Sequence, residues 1–227
     1  MNVLTQAISR NSIALAIFAL LTTGIIAATY LGTADTITIN KRKAETRALN
    51  EIITPDRYDN ELLSDTVSVA DSELLGLRSQ KSIYFARKNN AIVAVILPAT
   101  ARDGYSGDID LIIGINADGS LAGVRATNQK ETPGLGDAID HKKSPWIEQF
   151  TGRFINTIEK IGNPIDEKWK VKKDGGDFDQ LTGATITPRA VVAAVYRAQQ
   201  YFAAHRSALL NGSVTANDTK PNTTSAN

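Results

Sequence analysis

A chain of 227 residues is long enough for one well-packed core with appendages. Its 25 basic and 24 acidic side chains leave a net charge of +1, with no basic stripe interleaved with aromatics, which argues against a nucleic-acid partner. Cysteine is absent and the two histidines, His141 and His205, stand far apart, so neither a disulfide, a Cys-ligated iron–sulfur cluster nor a His-based metal site is expected.

From Asn11 to Ala34 no residue is charged, and residues 13–32 are almost wholly apolar or small. About 20 such residues cross a bilayer core as one helix. Arg10 before the run and the small Ala27 and Ala28 within it also fit a cleaved signal peptide. The apolar region of a signal is shorter, roughly 7–15 residues, so residues 1–34 are read as a retained transmembrane anchor. Lys41, Arg42, Lys43 and Arg47 follow the span, against Arg10 before it. Taken alone, that count leaves the following domain in the cytoplasm.

Residues 35–80 are read as a membrane-proximal helical segment. Within it, residues 36–53 continue as a polar helix with Leu49, Ile52 and Ile53 as an apolar edge, and Thr54-Pro55-Asp56 breaks it. A folded domain is expected over residues 81–206. Ser82 to Arg87 and Ile92 to Leu97 flank Asn89-Asn90, and Ile109 to Ile115 and Leu121 to Thr127 flank Asn116-Ala117-Asp118-Gly119. Turn residues between β-branched runs predict two antiparallel pairs. Asp103-Gly104-Tyr105-Ser106-Gly107 is a turn between these hairpins, and Glu131-Thr132-Pro133-Gly134-Leu135-Gly136 is a second turn after the fourth strand. Ser144 and Pro145 cap and open a short helix to Phe150. Trp169 to Lys173 reads as a further short strand. The sum is an α+β domain, an antiparallel sheet with packed helices.

The chain is organised around the run from Lys172 to Arg189. Thr187 suits an N-cap and Pro188 the first helical position. Behind them Val191, Ala194, Val195, Ala198 and Phe202 recur at helical spacing and form one apolar face. Thr185 therefore precedes a helix N-terminus, where free N–H groups and the positive dipole end favour a phosphate, and Gly183 lets the backbone bend beside it. Residues 207–227 are an Asn-, Thr- and Ser-rich tail expected to be disordered, its three sequons at Asn211, Asn217 and Asn222 being expected from composition.

Asp179-Gln180-Leu181-Thr182-Gly183-Ala184-Thr185 resembles the flavinylation motif of FMN-binding domains, with an Asp six residues before the modified Thr. With its flanks and the two loops at Tyr105 and Glu131, the chain resembles the G subunit of the Rnf/Rsx ion-translocating oxidoreductase complex and, more distantly, the C subunit of sodium-translocating NADH:quinone oxidoreductase. The resemblance implies covalent FMN, joined through its phosphoryl group to Thr185 by a flavin transferase that recognises Asp179. It implies a domain on the periplasmic face of a bacterial inner membrane. It also implies an electron relay between flavin and iron–sulfur centres on partner subunits, within a translocase that couples electron flow to ion movement.

Around Thr185, the flavin neighbours implied are Thr182, Gly183, Ala184, Tyr105, Ser106, Glu131, Thr132, Leu135 and Gly136. Leu135 would lie against the ring face, while Glu131 and Thr132 would hydrogen-bond the ring edge or the ribityl hydroxyls. Trp146 is either a ring neighbour or ordinary core. Lys172 and Lys173 face either the phosphate and ring or solvent. Asp174, Asp177 and Asp179 lack the downstream Glu of a calcium loop. The alternatives to weigh are the sodium-translocating C subunit, and a tethered ligand-binding or assembly module without covalent flavin.

Overall fold

The computed structural model describes residues 3–155 and 167–213. It divides into two compact units, Met1–Glu45 and Thr46–Asn227. Helix α1 runs over Val3–Asn50 and supplies nearly all of the first unit. Within that unit the apolar side chains of Ile13, Leu20, Ile26 and Leu31 are exposed rather than packed on protein. The stretch Ile8–Asn50 contains an 18-residue window of mean hydropathy 2.1 with none of it buried, so it is long and apolar enough to cross a membrane. Its hydroxyls are satisfied along the helix. Thr22 donates to the carbonyl of Phe18 at 2.9 Å, Thr29 to Ile25 at 2.8 Å and Thr33 to Thr29 at 2.8 Å. Such internal bonds spare a hydrocarbon-facing segment from unpaired polar groups.

The second unit is built on a five-stranded antiparallel meander: β1 (Thr66–Val69), β2 (Lys81–Lys88), β3 (Ala91–Gly104), β4 (Gly107–Asn116) and β5 (Leu121–Asn128), in that spatial order. Asn89 and Asn90 join β2 to β3 with φ of +51° and +68°, the left-handed pair that Asn tolerates in a two-residue hairpin turn. Alternate residues of β3 leave the sheet on opposite faces. Val95, Leu97, Ala99 and Ala101 enter the larger core, which helix α2 (Ile186–Asn211) covers with Val191, Val195, Ala198 and Phe202. Ala94 and Ile96 point the other way, onto Leu49, Ile52, Ile53 and Leu62. The expected apolar faces on α2 and at Leu49–Ile53 are thus both buried.

Four differences from the sequence reading have local causes. β1 was not foreseen: Thr66–Val69 is only four residues long, but Val67 and Val69 share the inward face and Thr66 pairs with Tyr84. The segment 35–80 is consequently helical only to Asn50, with a 3-10 turn at Pro55–Arg57 before this edge strand. β3 is twice the expected length, so Tyr105 and Ser106 form the tip of the β3–β4 hairpin, between paired Gly104 and Gly107, rather than a link between hairpins. Trp169 to Lys173 is not a strand: Val171 makes a single bridge to Phe178, and Lys172–Asp174 turns as a 3-10 helix that ends on Gly175. At the other end, α2 continues through Asn211 with Leu209 fully buried, so residues 207–211 belong to the fold; the expected tail over 214–227, with Asn217 and Asn222, lies outside the described residues.

Gly114 and Gly123 sit opposite each other on β4 and β5 and leave a dimple that Ile52 fills. A Cβ at Gly114 would come within 2.2 Å of the Ile52 Cγ2 methyl, which is fixed to a branched carbon and cannot rotate clear. Gly114→Ala is therefore expected to cost about 1–3 kcal/mol by overpacking, and Ile52→Ala about 2–5 kcal/mol by leaving a cavity. Because both act through one contact, the double variant is expected to lose less than the sum. Thermal melts of the four full-length chains in detergent check this; strictly additive losses would contradict the dimple.

Candidate functional site

Three segments far apart in sequence converge on one cavity of about 410 Å³: the β3–β4 hairpin tip, the loop after β5, and the start of α2. That volume falls within the roughly 300–1,000 Å³ of small-molecule sites. Its walls are Tyr105, Glu131, Thr132, Leu135, Gly136, Gly183, Ala184, Thr185, Ile186 and Thr187.

The Glu131 carboxylate joins the three. It is 5% exposed, its Oε1 accepts the Ser106 backbone N–H at 3.0 Å, and its Oε2 accepts the Thr187 hydroxyl at 2.5 Å. A buried carboxylate is tolerated only with such partners, and hydrogen bonds to a charged acceptor are worth about 1.5–3 kcal/mol each. Space around it is made by glycine. A Cβ on Gly136 would stand 2.7 Å from both Glu131 Oε2 and Thr187 Oγ1, and one on Gly104 would stand 3.0 Å from Glu131 Oε1.

The loop from Thr132 to Asp137 is tied by its own carboxylate. Asp137 accepts the Gly134 N–H at 2.7 Å and pairs with Lys143 at 2.5 Å. The Lys143 ammonium, with the Gly134 N–H, holds the Asp137 carboxyl below its ordinary range. Gly134, at φ +77°, supplies the turn that projects Leu135 outward, 41% exposed, toward the motif turn. There Gly183, at φ +78°, follows Thr182, and Ala184 N–H returns to the Leu181 carbonyl at 3.1 Å. A Cβ on Gly183 would lie 2.9 Å from a Leu135 methyl, so this glycine serves both the turn and the approach of the two loops.

Helix α2 starts one residue after Thr185, which occupies the cap position, and the Thr185 hydroxyl makes no capping bond. This revises the expected cap: Thr187 lies inside the first turn and gives its hydroxyl to Glu131 instead. Pro188 remains harmless there, since the first-turn amides have no intrahelical acceptor. Behind the turn, Arg189 grips Asp174 with two bonds of 2.5 and 2.6 Å and lowers the Asp174 pKa.

Eight of the twelve expected flavin neighbours wall the cavity, and four do not. Trp146 is 6% exposed, packs edge-on to Phe150 at 5.7 Å, and donates its indole N–H to the Asp179 carbonyl at 2.6 Å. Of its two readings the structure favours core, with a bond that steadies the motif from behind. Lys172 pairs with Asp179 at 2.5 Å on the surface. Ser106 takes part through its backbone, and Thr182 is exposed beside the turn. Ile186 and Thr187 were not foreseen as walls. Their spacing one and two residues after Thr185 was available as a signal, but the assumed cap at Thr187 placed them elsewhere.

Residues 104–200, which include all three walls, match the family of FMN-binding domains. Residues 1–52 match the N-terminal region of RnfG. Among curated relatives, the G subunit of the ion-translocating oxidoreductase complex of Pseudomonas aeruginosa (strain UCBPP-PA14) is 47% identical over 201 residues, covering 88% of this chain and 91% of that one. The protein of the same name from Pseudoalteromonas atlantica is 42% identical, covering 92% and 94%. The chain belongs to the family of G subunits of the ion-translocating oxidoreductase complex, as the motif ending at Thr185 implied. A looser likeness, with a TM-score of 0.41 at 19% identity over 70% of this chain and 71% of the other, is to Shewanella oneidensis NqrC.

The Asp137 clasp gives the site a definite acid response. A carboxyl whose folded pKa is depressed contributes stability above its unfolded value, near 3.8, that is lost as pH falls through the lower folded value. The Gly134 amide resonance, which reports its bond to Asp137, is expected to titrate with a midpoint below 3.8 and to move up toward it in Lys143→Met. An unchanged midpoint in that variant would remove Lys143 as the cause.

Proposed function

We propose that this chain is a membrane-anchored electron-transfer flavoprotein subunit whose FMN is joined by a phosphoester bond to the Thr185 hydroxyl. The observation that carries the reading is the pairing of an uncommitted Thr185 hydroxyl with a small-molecule-sized cavity at the start of a 26-residue helix. The residues fit the group. The N–H groups of Ile186 and Thr187 belong to a helix start that favours a phosphoryl group. Gly136 and Gly183 keep side chains out of the space, and Glu131 and Thr132 supply the polar edge. Tyr105, Leu135 and Ile186, which are 68, 41 and 47% exposed, give the cavity an apolar rim that faces solvent. A redox group held there stays within reach of a partner subunit.

FMN, when bound, supplies one-electron redox chemistry, for which the protein provides attachment, orientation and electrostatic tuning. The assembly is a complex that couples electron transfer to ion movement, as the names of the relatives at 47 and 42% identity state for those proteins. Covalent attachment requires a dedicated transferase. The nearest carboxylate of the cavity, Glu131, is committed to Thr187 and Ser106, which leaves Thr185 without a base, and an unactivated hydroxyl is a weak nucleophile. The motif is presented for such an enzyme: Asp179, Gln180, Thr182 and Gly183 are exposed.

The Thr185→Ala chain is expected to run colourless on a denaturing gel where the parent runs as a yellow, fluorescent band. Its mass is expected to fall by one FMN less one water, beyond the side-chain change. A parent that is colourless when matured with a transferase, or a Thr185→Ala chain still covalently yellow, would refute the assignment.

Residues 13–32 anchor the chain in a bacterial inner membrane with the flavin domain in the periplasm. The family resemblance supports that side against the cations at Lys41, Arg42, Lys43 and Arg47, which follow the span. A reporter active only in the periplasm, fused to the carboxyl end, is expected to be active. Activity of a cytoplasm-only reporter in its place would reverse the topology.

A further inference from the structure

On the other side of Ile186 lies a second cavity, of about 450 Å³ against about 410 Å³ for the first. Its walls are mostly apolar: the indole of Trp169, Val171, and the small Ala190 and Ala193 of α2. Asp174 and Arg189, already paired to each other, form a polar edge. Ile186 lines both spaces and is 47% exposed, so one side chain on the surface divides them. Thr185, the residue before it, lines the first cavity.

We propose that the cavity beyond Ile186 is a second seat for a flat heteroaromatic ring, visited by the same flavin ring that is tethered through Thr185. The proposal rests on the covalent reading above and adds to it a second position for the ring. The chemistry of the walls selects this ligand class. An indole at one side offers a stacking surface for a planar π-system, alanines leave a slot, and a guanidinium–carboxylate edge meets the polar rim of a heterocycle. The tether removes the need for tight binding. A ring on a short flexible chain samples nearby sites at an effective concentration on the order of millimolar, so a seat with a dissociation constant of about that size is substantially occupied. The divider is no obstacle, since an exposed side chain such as Ile186 changes rotamer on the picosecond-to-nanosecond scale. The two seats differ in character: Glu131, Thr132 and Thr187 face the first, whereas the second has an aromatic wall and a cation at its edge.

The test uses the full-length chain with its two tryptophans replaced by 5-fluorotryptophan, produced without a transferase so that Thr185 is bare. Free FMN is the probe, added at about millimolar concentration, the range the tether supplies. The fluorine resonance of Trp169, assigned by Trp169→Phe, is expected to shift on addition of FMN. Ala193→Phe fills the second cavity from the helix side without touching the first, and is expected to abolish that shift. Retention of FMN by the same variant in equilibrium dialysis shows that it has folded and that the first cavity still binds. If Ala193→Phe retains none, Ala193→Leu, a smaller plug, is measured in its place. A Trp169 resonance that does not move with FMN, or that moves equally in the plugged chain, overturns the second seat. The result is independent of attachment: a transferase-matured chain that proves colourless would sink the covalent reading while leaving this titration readable, and a yellow chain with an unmoved Trp169 would sink only the second seat.

Discussion

The site depends on one buried carboxylate. Glu131 stands where the hairpin tip, the loop after β5 and the first turn of α2 meet, and it bonds to two of them while belonging to the third. None of the three is held at this point by sheet pairing alone. The hairpin tip lies beyond the last β3–β4 pair, and the loop has left β5 at Asn128. Removing the carboxylate would leave the Thr187 hydroxyl and the Ser106 amide without their acceptor, at about 1–3 kcal/mol for each group that stays dry. Gly136 and Gly104 are the complement of that clasp, since a methyl group at either would push into it.

A consequence follows for the chemistry of the threonines. Of the three in the stretch Thr182 to Thr187, Thr187 is spent on Glu131 and Thr182 lies outside the cavity wall, which leaves Thr185 lining it with a hydroxyl not used as a cap. The clasp thereby selects the attachment residue as well as shaping the cavity. The rigid backing comes from the aromatic cluster of Trp146, Phe150, Trp169 and Phe178, with ring centroids 4.8 to 6.5 Å apart, and from the indole bond to the Asp179 carbonyl. A motif loop fixed from behind and exposed in front suits both a modifying enzyme and a later electron partner.

Much of this was legible beforehand, for identifiable reasons. Asn89-Asn90 between β-branched runs announces a hairpin because few residue pairs accept two positive φ angles. The apolar stripe on α2 is a period of 3.6 sustained over several turns. The loop at Glu131 was recognisable only by resemblance; its local pattern is that of any turn, and the partner that gives Glu131 its role is 56 residues away. The same limit explains Trp146, whose burial and bond to Asp179 are long-range facts, and Thr187, whose hydroxyl found a better acceptor than the helix end it was assigned to cap. β1 escaped because four residues carry too short an alternation, and Trp169–Lys173 misled because an alternation of Lys with buried Trp169 and Val171 also suits a chain crossing once over a core.

The central claim is that the buried clasp leaves Thr185, and not its neighbours, to carry the flavin. Tandem mass spectrometry of the tryptic peptide Asp174–Arg189 from the native, transferase-matured chain tests it most directly. The account predicts a peptide heavier by FMN less one water, with fragment ions that assign the added mass to Thr185. The same mass on Thr182 or Thr187, or a bare peptide, would contradict it.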